Sequence, residues 1–152
     1  MKIIKERKQS KKIKGLEKIK LDTFQDYRGE IWTVYSKEYS DDSFVADKIS
    51  ISRFGVLRGF HGDSYTTKMI SCLHGQFQLA VADLRKGSST YGNTETFLLT
   101  DEKPAVVIVP AGCINAHLSL SDKCLFYYKW SEHYRGPEAQ VTVAWNDPDL
   151  NI

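Results

Sequence analysis

At 152 residues the chain fits one domain, and a domain of that length buries roughly 70% of the surface its unfolded chain exposes, so no disulfide or metal staple is required. No apolar run reaches the ~18 residues of a membrane-spanning helix, the lysine-rich start lacks the apolar stretch of a signal peptide, and the three cysteines (Cys72, Cys113, Cys124) form no CxxC pair, which predicts buried free thiols in a cytoplasmic protein. The net charge of +2 is uneven, with +7 in residues 1–20 and −5 in the remainder. Such a basic arm suits nucleic acid or an anionic membrane. It carries no interleaved aromatic on which bases stack, and lysines also keep an edge strand soluble. An edge strand or solvated segment, with no nucleic-acid or membrane partner, is the expectation.

Residues 1–13 form the basic segment, and 14–152 read as an all-β body within one domain. From Lys18 onward, β-branched and aromatic runs are cut by turn residues at intervals of about 8–12, and no window sustains a 3.6-residue period. The predicted strands are Glu30–Tyr35, Val45–Ser52, Val56–His61, Lys68–Leu73, Gln76–Leu84, Thr94–Leu99, Ala105–Val109, Ala116–Leu120 and Cys124–Trp130. The breaks between them include "YRG" around Arg28, "HGQ" from His74, "RKGSSTYG" from Arg85, "DEKP" before Ala105, "PAG" from Pro110 and "SDK" from Ser121. So many short strands on a small chain predict a sandwich or barrel, with a jelly roll as the expected form.

Three strands carry polar groups in informative places. In Cys124–Trp130 the inward parity holds Cys124, Phe126, Tyr128 and Trp130, so Tyr128 is expected to look inward. After Pro110, Cys113, Asn115, His117 and Ser119 share one parity while Ile114, Ala116, Leu118 and Leu120 share the other. A polar parity of this kind faces either bulk solvent or a ligand cavity, and the pattern alone does not choose. The stretch "FGVLRGFHGD", residues 54–63, places an arginine, a histidine and an aspartate in an otherwise apolar strand, groups that are costly to bury unless paired or used. Simple alternation puts Arg58 and His61 on opposite faces. Both reach one site only if Gly59 permits a bulge or the arginine acts from the rim.

The spacing from Gly55 through His61, Asp63 and Lys68 to Gly75 resembles the first cupin motif, whose metal ligands sit at the positions of His61, Asp63 and Lys68. "PAGCIN" from Pro110 resembles the second, P-x-G-x-x-H, with Asn115 in place of the histidine. The frame is kept and the ligands are not: a protonated lysine does not bind a divalent metal, and one histidine with one aspartate falls short of three or four ligands. No metal and no cofactor is expected.

Within the cupins, residues 14–152 resemble the dTDP-4-dehydrorhamnose 3,5-epimerase family through "DYRG", "VLRGFH", Lys68, "VADLRKGSSTYG", "VPAG", "LFYYKW" and "WNDPDL", in order and with consistent spacing. The resemblance implies chemistry on a nucleotide-linked 4-keto-6-deoxy sugar, in which the C4 carbonyl acidifies the protons on C3 and C5 and the enzyme supplies a base, an acid and a partner for the enolate oxygen. It implies His61 as base, Tyr128 as acid, Lys68 beside the enolate oxygen, Arg58 and Arg28 on the diphosphate, Tyr134 as a second substrate-side tyrosine and Asp83 as support for the histidine region. It also implies a homodimer in which Arg28 reaches the other subunit's site.

The chain departs from the family pattern at Thr33, Ala46, Lys48 and Asn115, while His117 offers an imidazole two residues beyond Asn115 on the same parity. Lys48, Asn115 and His117 therefore join the candidate substrate contacts. The family's histidine usually pairs with an aspartate beyond the "DPDL" block, and Asp63 or Asp83 is expected to orient the imidazole here instead. Three functions stay open: an epimerase acting at C3, or at C3 and C5, for surface polysaccharide; a cofactor-free ketoisomerase moving the carbonyl between C4 and C3; and a non-catalytic sugar-nucleotide-binding cupin.

Overall fold

The computed structural model describes residues 2–152 and lays them into thirteen strands. They are β1 (Ile4–Gln9), β2 (Glu17–Leu21), β3 (Thr23–Asp26), β4 (Gly29–Trp32), β5 (Ala46–Ser52), β6 (Leu57–Gly62), β7 (Lys68–His74), β8 (Gln76–Asp83), β9 (Thr94–Thr100), β10 (Ala105–Val109), β11 (Cys113–Ser119), β12 (Cys124–Trp130) and β13 (Val141–Thr142). A six-stranded sheet runs β1-β2-β10-β7-β12-β5 and a five-stranded sheet runs β13-β6-β11-β8-β9, every pairing antiparallel. The two form a jelly roll, and β3 with β4 makes a separate hairpin. No described helix is long and apolar enough to cross a membrane.

The inward residues of both sheets, among them Ile70, Cys72, Phe77, Leu79, Val107 and Phe126, close a core between the layers. A second cluster around Ile19, Tyr39, Met69 and Tyr127 seals the outer face of the six-stranded sheet, where Trp32, Val34 and Phe44 pack over it. A third, around Phe60, Ala82, Ile114 and Leu150, lies on the outer side of the five-stranded sheet. Cys72, Cys113 and Cys124 are buried and unpaired.

Each predicted strand has a counterpart, and the structure differs from the expectation in several places. The basic segment is an edge strand, β1, whose Arg7 pairs with Glu17 at 2.7 Å while most of its other side chains meet solvent. β2 was hidden by that same charge: Lys18 and Lys20 alternate with Ile19 and Leu21, which pack into the second cluster on the outer face of the sheet. β3 and β13 are too short to show a period. The strand predicted from Glu30 ends at Trp32, where its pairing with β3 stops, and β11 starts at Cys113, three residues earlier than expected, because it is paired with β8 from that point.

Candidate active site

The two sheets part at one end, and the gap is a cavity of about 740 Å³. Eight predicted residues line it: Lys48, Arg58, His61, Lys68, Asn115, His117, Tyr128 and Tyr134. The polar parity of β11 thus faces the space between the sheets, where Asn115 and His117 border the cavity, and Ile114 and Ala116 back onto the third cluster.

A bulge resolves the conflict between Arg58 and His61. Across β6 and β11, His61 stands opposite Asn115 and Arg58 opposite His117, so three steps on β6 match two on β11. Gly59 makes this possible. Its φ of +121° is disfavoured for residues with a side chain, and a Cβ there would lie 2.5 Å from Ala116 Cα and 2.6 Å from the Asn115 carbonyl oxygen. Arg58 and His61 therefore share the cavity wall while Phe60 turns outward into the third cluster.

Tyr128 and Lys68 come from the opposite sheet. Burial raises the pKa of the Tyr128 phenol, with Arg58 opposing, so it carries its proton at neutral pH. Its ring packs between Phe126 and Trp130, with centroids 5.0 and 6.1 Å away. Lys68 is almost wholly buried, and burial brings its ammonium down to about 8. It donates to Asn115 Oδ1 at 2.9 Å and to the His61 carbonyl oxygen at 3.2 Å. An ammonium bonded to an amide oxygen thus stands at two positions that carry ligands in metal-binding cupins. Among the described residues no group of three His, Cys, Asp or Glu is placed to hold a metal, so the donor set does not fit one.

Among the described residues no carboxylate lines the cavity, while three cations do. Arg58 Nε donates to Ser52 Oγ at 3.0 Å, leaving its terminal nitrogens without a protein acceptor among the described residues. Lys48 lies 3.8 Å from the Trp130 ring centroid and 4.9 Å from that of Tyr134, a cation held by π faces, and burial lowers its pKa. His117 stacks on Phe126 at 3.9 Å, and burial, helped by Arg58, takes it down to about 4, so it is neutral. Three buried polar atoms of the lining residues, Ser50 Oγ, His117 Nε2 and Trp130 Nε1, have no hydrogen-bond partner among the described residues. A ligand rich in anionic and polar oxygen matches this wall.

His61 carries a neutral imidazole. Burial and then the nearby Lys68 lower its pKa below the ordinary 6.5. Its Nδ1 lies 3.1 Å from Thr142 Oγ1.

Three candidates stand elsewhere. Asp63 does not hold the imidazole: Oδ1 accepts the Tyr65 and Thr66 backbone N–H groups, and Oδ2 accepts Gln140 Nε2 at 2.8 Å. Asp83 does not support it either, because its carboxylate ties down the loop that follows, accepting from Arg85, Ser88 and Thr90. Burial alone would raise that carboxyl; the Arg85 guanidinium and the hydroxyls outweigh it and hold the group well below the carboxylate range. Arg28 sits at the tip of the β3–β4 hairpin, outside the cavity of its own chain, and pairs with Asp26 at 2.6 Å. The cavity also uses Ser50, Gln140 and Thr142, which the sequence reading missed. Ser50 shares the parity of Lys48 and was legible; Gln140 and Thr142 had no signal, lying in a stretch without periodicity.

Comparison with known proteins agrees with this fold. The family described as dTDP-4-dehydrorhamnose 3,5-epimerase matches residues 10–152. The enzyme of that name from Methanothermobacter thermautotrophicus is 33% identical over 141 residues, 88% of this chain and 76% of the relative. The crystal structure of the Elizabethkingia anophelis enzyme superposes with a TM-score of 0.86 at 32% identity, covering 97% of this chain and 84% of its own. A 3,5-epimerase from Legionella pneumophila, solved in complex with dTDP-4-keto-L-rhamnose, gives 0.86 at 31% identity, covering 92% and 78%. With the match running through both sheets and every strand that borders the cavity, the chain belongs to the dTDP-4-dehydrorhamnose 3,5-epimerase family.

Proposed function

We propose that the protein epimerises a nucleotide-linked 4-keto-6-deoxy sugar at C3, or at C3 and C5, through an enolate. The observation that carries this reading is the placement of a neutral histidine and a protonated tyrosine on facing sheets of one cationic cavity, with Lys68 buried in it. His61 takes the proton from the carbon beside the carbonyl. The electron pair moves into the ring bond, and the negative charge develops on the C4 oxygen, where an ammonium stabilises it. Tyr128 delivers its proton to the opposite face of that carbon, which inverts the centre; the phenolate is then reprotonated from solvent and the His61 imidazolium releases its proton to solvent. Arg58 takes the diphosphate, and Lys48, Asn115, His117 and Tyr134 contact the remainder of the substrate. The protein acts in the cytoplasm, and its product serves as an activated deoxysugar for surface polysaccharide.

The test is incubation with dTDP-4-keto-6-deoxyglucose, and with its GDP, CDP and UDP counterparts, in D₂O with EDTA present. Deuterium at C3 or at C3 and C5 with inversion of the labelled centre is the expected result. A carbonyl transferred to C3 would instead mark a ketoisomerase. Binding without exchange would leave a sugar-nucleotide-binding protein, and activity lost to EDTA and restored by a divalent metal would overturn the metal-free reading.

A homodimer is part of the proposal. β5 is an open sheet edge with Ile49 and Ile51 exposed, and the hairpin beside it in sequence exposes Phe24, Tyr27 and Ile31, apolar area that a second copy would cover. In that dimer Arg28 reaches the other subunit's cavity. Sedimentation at micromolar concentration is expected to return twice the 17.4 kDa chain mass, and a monomer would count against the assembly.

A further inference from the structure

The base proposed for this reaction has a partner that carries no charge. β13 is only two residues long, yet it is held firmly in register: Phe60 and Val143 exchange both backbone hydrogen bonds at 3.2 Å, which sets Thr142 directly opposite His61. The side chains of such a cross-strand pair meet, and Thr142 Oγ1 lies 3.1 Å from His61 Nδ1. The segment is pinned a second time by Gln140, whose amide donates to the buried Asp63 carboxylate. Asp63 therefore makes no hydrogen bond to the imidazole and instead holds the segment that carries Thr142. Nε2 takes no hydrogen bond from the described residues, and both His61 and Thr142 line the cavity.

We infer that Thr142 is a positioning residue for His61: its hydroxyl accepts the Nδ1 proton, selecting the tautomer in which Nε2 is the free base facing the substrate. A carboxylate in this place would favour the imidazolium; a hydroxyl fixes the ring without doing so. The charged group that faces the ring is Lys68 on β7, while β11 and β13 present Asn115 and Thr142, which do not titrate. Three cations drawn to one substrate, Lys48, Arg58 and Lys68, are thereby combined with a base that remains unprotonated at neutral pH. The inference rests on the epimerase reading for its catalytic meaning, but the tautomer itself is a property of the free protein.

The test reads the imidazole directly. In ¹⁵N-histidine-labelled protein at pH 8, the His61 resonances, assigned by their loss in His61→Ala, are expected to show a protonated Nδ1 and a bare Nε2. Thr142→Val, of nearly the same shape, is expected to shift the ratio toward the Nε2–H tautomer and to lower kcat for exchange about tenfold with KM little changed, whereas Thr142→Ser restores both. Thr142→Asp is expected to raise the pH at which the ring titrates by about one unit. An Nε2–H tautomer in the wild-type protein, or a ratio unchanged in Thr142→Val, overturns the inference whatever the activity. A ratio that shifts in a protein exchanging no substrate proton supports the positioning role and overturns the epimerase reading alone.

Discussion

His61→Ala is expected to reduce deuterium incorporation from D₂O into a nucleotide-linked 4-keto-6-deoxy sugar by ~10²–10⁴-fold, the range that a single general base supplies. No other side chain lining the cavity offers an equivalent base. His117 stays neutral too, but its ring is stacked on Phe126 and its Nε2 is fully buried, while Lys48 and Lys68 carry protons at neutral pH. Binding should survive, because Arg58 and the two lysines that attract the anion are untouched. Isothermal titration with the nucleoside diphosphate checks that half of the expectation. In the wild-type protein the same base sets the acid limb of the profile of kcat/KM against pH. His61 works only when neutral, and its pKa is lowered by burial and by Lys68, so the rate is expected to fall with acidity below pH 6.5. The alkaline limb belongs to Lys68, which stabilises an oxyanion only as the ammonium and is held down to about 8. A rate that climbs steadily from pH 7 to 10 would remove Lys68 from the mechanism, and a His61→Ala variant that exchanges at the wild-type rate would remove the base.

Tyr128→Phe is expected to separate two events that the wild-type protein couples. The base on the five-stranded sheet is intact, so proton abstraction and return on that face continue, and washed-out label stays within about tenfold of wild type. Delivery from the opposite sheet is lost, and net inversion falls ~10²-fold. The substitution removes one exposed-to-cavity hydroxyl and keeps the ring that packs on Phe126 and Trp130, so stability should change little. Proton NMR of the sugar reads both quantities in one tube, deuterium content and configuration. Exchange and inversion lost in equal measure would assign Tyr128 to substrate binding instead of acid catalysis.

How much of this was legible beforehand differs from residue to residue. Inward placement of Tyr128 followed from period-two alternation in Cys124–Trp130, because a strand's side chains take opposite faces whatever the rest of the fold does. The jelly roll followed from strand lengths and breaks in the same local way, and the blocks around His61, Lys68 and Tyr128 carried the family and its candidate chemistry. What lay beyond reach depended on register between strands distant in sequence. Alternation set Arg58 against His61, and only the bulge at Gly59, imposed by the close approach of Ala116 from β11, brought them to one wall. The polar parity of β11 was open between water and cavity until the facing sheet closed over it. The imidazole was assigned an aspartate, yet Asp63 and Asp83 each spend their oxygens on their own turns and on Gln140, as buried carboxylates must when backbone N–H groups and an arginine stand within reach. Thr142, 81 residues from His61, sits on a strand too short to have a period. Sequence by itself determined which side chains each strand could offer, since that is local stereochemistry. Tertiary structure decided which of them meet, since a hydrogen-bond partner is set by the pairing of backbones and not by neighbourhood along the chain.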